Sequence, residues 1–171
     1  RNSEKINTFN LTNLNEDFPS INEFFLEEWT NQDSISYFNE AFRNNFLIIQ
    51  IPKNTKLSEP IYIDYQIIEE AFISSILILA EEDSEAKIYL NNTTTNQVKH
   101  LFEDIRIISK KNSKIDLFRA TGFNINTFSM AKLKAKIGEI SKVNWTNLCS
   151  GGAYSKLEVS SNLNELKAKT N

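Results

Sequence analysis

The sequence has one cysteine, one histidine and only four glycines among its 171 residues. One cysteine excludes an intrachain disulfide bond and any metal cluster held by cysteines alone, and it favours a reducing compartment. One histidine, His100, limits a Ser-His-Asp catalytic set to that residue, and nothing else in the sequence favours such a set. The glycines do not follow the GxxxxGK(S/T) or GxGxxG spacing of phosphate-binding loops, so the chain has no nucleotide-binding motif.

The sequence also lacks an excess of positive charge and a long apolar run. A net charge of −3 and a pI near 5.3 argue against a nucleic-acid partner, which would require a basic patch. The longest apolar run, 71–80, is interrupted by Ser74 and Ser75 and is shorter than the ~20 residues of a membrane span. The chain has no signal peptide and opens on Arg1 rather than Met, so we expect a fragment of a longer protein.

What the sequence does have is a unit that occurs five times, in which two short alternating runs flank a tight polar corner. The corner residues Asn54, Asp83 and Asn112 are 29 residues apart. Within each run apolar and polar residues alternate, which places one row of side chains inside and the other in water. The units occupy 48–63, 76–90, 105–118, 133–146 and 157–168, with the last two corners at Ser141 and Asn164.

A fixed period of this length is typical of stacked architectures, because each unit is too small to bury its own apolar face. The sequence therefore predicts an all-β solenoid, a parallel β-helix over 46–171, with strands pairing about 29 residues apart. The alternative is an antiparallel sandwich of short hairpins, which would need turns every ~8–12 residues. We expect the β-helix to be truncated, leaving an open coil near 157–168 that self-associates or pairs with a related chain.

The front of the chain has a different pattern. Residues 1–18 are polar and predict an arm, whereas 19–45 predict a helical cap. Ser20 and Glu23 form a capping box for a helix over about 21–30. A second helix is expected from Asp33 or Ser34 to Asn44-Asn45, with an apolar face of Ile35, Phe38, Ala41 and Phe42. We expect both helices to cover the first coil, and a partner-binding role is the alternative.

His100 and Cys149 are the candidate reactive residues. Glu103 and Asp104 follow His100 at the spacing of half a metal site on a helix, but 98–108 has the pattern of a loop and a strand, so we predict a surface histidine. Cys149 precedes a glycine pair and is either an exposed, reactive thiol or, as we favour, a small apolar residue at a strand end.

The remaining polar residues are expected to be structural. The pair Gly151-Gly152 predicts a tight corner between coils. Lysines and arginines are expected on outward strand positions, and carboxylates on corners such as Glu81, Glu82 and Asp83 or on outward positions. Paired acids of a glycosidase could nevertheless lie among them.

Several stretches resemble the SufB/SufD family. The family has an aromatic-rich helix, a strand ending in I-x-V-P-K-G-V and then P-I, and YFNEAFRNNFLIIQIPKNTKLSEPIYI (37–63) is similar, with Asn54 in place of the glycine. The runs 76–90, with Glu81-Glu82, and 105–121 resemble the repeats that follow. Residues 150–163 resemble a SufD-like L-G-G-A corner through Gly151, Gly152 and Ala153, although Ser155-Lys156 replaces its usual arginine region.

This resemblance covers about 37–165 and implies a right-handed parallel β-helix with a short N-terminal helical cap. It implies a scaffold subunit, SufD-like with SufB as the close alternative, in a complex that assembles iron–sulfur clusters. The implied partners are a SufC-type ATPase and a paralogous SufB/SufD-type subunit, in a homo- or heterodimer. The expected location is the cytoplasm, or a plastid-type organelle.

On this reading the chain is not an enzyme and has no catalytic, cofactor-binding or metal-binding residue of its own. The cluster is expected only transiently in the full complex, with ligands beyond Asn171. Two alternatives remain open at this point. One is a β-helical polysaccharide-active enzyme, and the other is an adhesin-like solenoid in which the sequons at Asn10, Asn91, Asn92 and Asn144 would be used.

Overall fold

The chain forms one short helix and eleven strands within residues 7–10, 34–163 and 166–171, the ranges that this computed structural model describes. The helix is α1 (Ser34–Phe42). The strands are β1 (Asn7–Asn10), β2 (Asn45–Ile51), β3 (Ile61–Ile67), β4 (Ala71–Ala80), β5 (Glu85–Thr94), β6 (His100–Ser109), β7 (Lys114–Phe123), β8 (Phe128–Ile137), β9 (Lys142–Gly151), β10 (Tyr154–Asn162) and β11 (Lys169–Thr170).

From β2 onward, the strands alternate strictly between two sheets along the chain. Strands β2, β4, β6, β8 and β10 form one parallel sheet, sheet A, and β3, β5, β7, β9 and β11 form the other, sheet B. Because each successive strand crosses to the opposite sheet, the chain winds into a β-solenoid of about four turns. The predicted parallel solenoid is confirmed.

The pairing register reproduces the period of the sequence. Asn45 lies opposite Ser74 and Glu85 opposite Lys114, in each case 29 residues further along the chain. Within the described ranges no hairpin crosses Asn54, Asp83 or Asn112, so the antiparallel sandwich is excluded.

The core lies between the two sheets and is filled by alternate residues of each strand. From sheet A, Ile76, Ile105 and Leu133 stack in consecutive coils, and Ile88 and Leu117 face them from sheet B. All five are almost fully buried. Burying such a side chain contributes about 1.5–3 kcal/mol, so the repeated inward rows stabilise the stack.

The predicted corners are confirmed in the first coils. Asn54, Asp83 and Asn112 have left-handed backbone, with φ of 60°, 57° and 54°. Asparagine and aspartate tolerate this conformation better than most residues. In each of these corners the left-handed residue donates its backbone N–H to a carbonyl of the next coil, so the coils share one backbone shape.

The fourth corner differs from the prediction. Left-handed backbone occurs at Ile140, with φ of 60°, rather than at Ser141, and in the following coil it occurs at Lys167, with φ of 57°. A β-branched isoleucine is unusual in this conformation. It adopts it because the stacked coil requires the corner shape, with Asn112 N–H donating to Glu139 O and Ile140 N–H to Leu166 O. Asn164 itself lies outside the described residues.

Helix α1 lies on the outer side of sheet A, with a different face buried from the one predicted. Phe38, Ala41 and Phe42 are exposed, while Ser36 and Asn39 are buried. The reason is hydrogen bonding, because the polar side of α1 contacts outward-facing residues of three strands, as described below. The predicted helix over 21–30 lies outside the described residues.

The edge of sheet A at the first coil is covered by a strand. β1 pairs with β2 in antiparallel orientation, and Asn7 lies opposite Gln50. This pairing satisfies backbone groups that an edge strand would otherwise leave open. The sequence had indicated only a polar arm in this part of the chain.

Candidate functional site

A buried ion pair lies inside the solenoid, between the two sheets. Glu103 of β6 and Arg119 of β7 are joined through Oε2 and Nη2, and each is only 3% exposed. Asn92 of β5 is fully buried and donates from Nδ2 to Glu103 Oε1 at 2.6 Å. Three strands therefore contribute to one polar cluster, and we call Asn92, Glu103 and Arg119 the interior cluster.

The pKa of Tyr65, on β3, is raised by burial and in part by Glu103 of the interior cluster. Burial, and then the negative charge of Glu103, raise the pKa of Tyr65 to about 12. The ring packs against Phe72, with 5.5 Å between centroids. The phenol therefore stays neutral at physiological pH.

The interior cluster corrects the expectation that charged residues occupy corners and outward positions. The signal that could have found it is the strand alternation itself. Glu103 is two residues before the inward-facing Ile105, and Arg119 is two residues after the inward-facing Leu117. Each residue is therefore an even number of positions from an inward-facing apolar residue of its own strand, which places its side chain inside.

A second charged cluster joins α1 to the outer side of sheet A. Arg106 is fully buried and donates to Asp104 Oδ2 from Nε at 3.0 Å and from Nη2 at 2.6 Å, and to Glu40 Oε1 of α1 at 2.8 Å. Lys134 of β8 donates to Ser36 Oγ at 2.9 Å. Arg106 and Asp104 were expected in water, but they are covered because α1 crosses this face.

Asn39 attaches α1 to β4 as well. Its Nδ2 donates to Ser74 O at 3.0 Å, and its Oδ1 accepts from Ser75 Oγ at 2.6 Å. Helix α1 therefore contacts β4, β6 and β8, one strand in each of three successive coils of sheet A.

His100, Glu103 and Asp104, whose spacing resembles half of a metal site on a helix, lie apart in the structure. His100 is exposed at the start of β6, Glu103 points into the core and Asp104 points to the outer side of the sheet. Consecutive strand residues face opposite sides, so Glu103 and Asp104 cannot share a ligand. In the described part of the chain, no three His, Cys, Asp or Glu residues are grouped for metal binding.

Cys149 lies near the end of β9, the strand-end position of the preferred interpretation, and it is exposed. Its Sγ lies 3.3 Å from Ser155 Oγ, which also contacts Ser129 Oγ at 2.9 Å. The following glycines have φ of 80° and 89°, which confirms the tight corner predicted between β9 and β10.

The last described coil has exposed apolar side chains. Leu157 and Val159 occupy the inward register positions next to the buried Ala131 and Leu133, yet they are 41% and 48% exposed. We call these two side chains the apolar terminal surface. Apolar side chains at these inward register positions are stabilised when further polypeptide covers them.

The corner carboxylates pair with lysines of neighbouring coils. Lys53 pairs with Glu82, Lys110 with Glu81 at 2.8 Å, and Lys111 with Glu139 at 2.7 Å. These hydrogen bonds lower the pKa of Glu82 and raise the pKa of Lys53 and Lys111. The carboxylates therefore connect coils, which gives no support to a glycosidase with paired acids at this edge.

Among the described residues, no helix is both long and apolar enough to cross a bilayer. Comparison with protein families gave a match over residues 65–171, more than half of the chain, to a family described as SUF system FeS cluster assembly, SufBD core domain. Comparisons with curated proteins and with solved structures gave no match.

Proposed function

Because the chain belongs to the SufBD core family of the SUF system of iron–sulfur cluster assembly, we propose that it acts as a non-catalytic scaffold subunit of that system. The observation that carries the proposal is the coincidence of the family match with the stacked coils. The matched residues begin within β3 and extend through β11, so the match covers most of the solenoid.

We further propose two partners, a SufC-type ATPase and a paralogous β-helical subunit of the SufB/SufD type. The apolar terminal surface and the outermost strands β10 and β11 support the second of these. An outer strand offers backbone groups to a further strand, and exposed leucine and valine side chains add apolar contact. The Gly-Gly-Ala corner at 151–153 favours the SufD-like role.

The test is copurification of this chain with a SufC-type ATPase and a SufB-type subunit produced in the same cells. We expect a stable complex in which the SufB-type subunit is retained. The double variant Leu157→Lys/Val159→Lys should release that subunit, because it places two charges on the apolar terminal surface. The control is Ile68→Lys, which changes an exposed apolar residue of the first coil and should leave the complex intact.

Circular dichroism must show that both variants keep the β-rich fold. Retention of the SufB-type subunit by the double variant would overturn the proposed surface. Failure of both partners to bind the unaltered chain would overturn the scaffold proposal as a whole.

A further inference from the structure

Three buried polar atoms near Glu103 have no hydrogen-bond partner within the part of the chain that the structure describes. They are Asn92 Oδ1, Arg119 Nε and Ser74 Oγ. All three residues are at least 97% buried. Buried polar groups in proteins almost always have a partner, so three such atoms in one region require an explanation.

The three atoms belong to residues that surround one carboxylate. Asn92 bonds Glu103 Oε1 through Nδ2, and Arg119 bonds Glu103 Oε2 through Nη2. Ser74 is the register partner of Glu103 on the adjacent strand β4. The three residues therefore surround Glu103, where the second and third coils meet.

The chemistry of the three atoms restricts what can bind there. Asn92 Oδ1 can only accept a hydrogen bond, Arg119 Nε can only donate one, and Ser74 Oγ can do both. A cation would be repelled by Arg119 and an anion by Glu103, whereas the two side chains together are neutral. The site therefore fits a small neutral molecule that both donates and accepts.

We propose that the interior cluster contains a bound water that accepts from Arg119 Nε, donates to Asn92 Oδ1 and bonds Ser74 Oγ. Buried waters typically make about three hydrogen bonds to groups that lack a protein partner, and this site offers three. The water completes the hydrogen bonding of the ion pair in the core. This inference does not depend on the proposed scaffold function.

The direct test is a crystal structure of the whole chain at high resolution. We expect an ordered water within about 3.2 Å of both Asn92 Oδ1 and Arg119 Nε. A dry site with both side chains ordered, or direct protein partners for both atoms, would overturn the proposal.

A solution measurement gives an independent test. Magnetisation transfer in NMR should connect a long-lived water with the Arg119 Nε–H and with the side-chain amide of Asn92. The control is the amide of Asn39, which is 2% exposed but bonded by Ser74 and Ser75 at both ends, and which should show no transfer. In Asn92→Leu the transfer to Arg119 should be lost, and its persistence would contradict the site.

Discussion

Glu103 and Asp104 are adjacent in sequence but lie on opposite sides of sheet A. Glu103 pairs with Arg119 inside the solenoid, and Asp104 pairs with Arg106 beneath α1. At the scale of the residue, the environment of a charged side chain depends on which side of the sheet it faces, and this side alternates along the strand. In both clusters a buried charge has an opposite charge beside it. Removing one partner should therefore be far more harmful than removing an exposed charge.

Glu103→Gln should lower the free energy of unfolding by about 3–5 kcal/mol, because it leaves the Arg119 guanidinium buried without a counter-ion. Urea unfolding followed by circular dichroism measures the change. The matched control is Glu82→Gln, which removes one side of an exposed ion pair and should cause no measurable change. Equal effects of the two substitutions would show that Glu103 is not buried as a charge.

Tyr65 gives a pH dependence whose sign follows from its raised pKa. Below about pH 9 the phenol is almost entirely neutral in both states, so it contributes no dependence. As the pH rises from 10 towards 12, Tyr65 of the unfolded chain ionises first, and the folded state loses stability by on the order of 1–2 kcal/mol. Urea midpoints at pH 9 and pH 11 should fall less for Tyr65→Phe than for the unaltered protein, and parallel falls would contradict the assignment.

At the scale of the element, alternation and corner spacing predict the solenoid because both are local properties that recur. The orientation of α1 is not local. Its most apolar face was expected to be buried, but the partners of Ser36 and Asn39 lie 98 and 35 residues away, on strands whose position the sequence pattern does not give. The left-handed Ile140 was missed for the same reason, because the neighbouring coil imposes that conformation against the residue's own preference.

The β9–β10 corner should be intolerant of any side chain at Gly151. A Cβ there would lie 1.9 Å from Phe123 O, on backbone with a φ of 80°. Gly151→Ala should destabilise the protein by about 1–3 kcal/mol or more. Gly122→Ala is the control, since its Cβ would meet its nearest atom, Thr93 Cγ2, at 3.9 Å. Thermal unfolding of the two variants compares them, and a Gly151→Ala protein as stable as Gly122→Ala would exclude the tight corner.

At the scale of the whole molecule, the apolar terminal surface governs association. The chain should self-associate at high concentration, since the exposed Leu157 and Val159 lose contact with water when a second strand layer covers them. Light scattering across a concentration series measures this, and Leu157→Lys should shift the equilibrium towards monomer. A strict monomer at the highest concentration reached would contradict the prediction.

The isolated chain should assemble no stable iron–sulfur cluster of its own. Clusters are normally held by several thiolates, some replaced by histidine in Rieske centres, and the sequence offers only Cys149 and His100. The two belong to different strands, with His100 at the start of β6 and Cys149 near the end of β9. Anaerobic reconstitution with iron and sulfide tests this. A stoichiometric visible-absorbing cluster that disappears in Cys149→Ser would show that the chain is itself a cluster carrier.

In each of the first four coils, the residue directly before the left-handed corner residue is charged. Its charge alternates in sign from coil to coil, with Lys53, Glu82, Lys111 and Glu139 in succession. This order constrains how such a solenoid can lengthen during evolution. Duplicating one coil would place two lysines or two glutamates side by side, whereas duplicating two coils together would preserve every opposite-charge neighbour. Growth by pairs of coils is therefore the route that keeps this edge neutral.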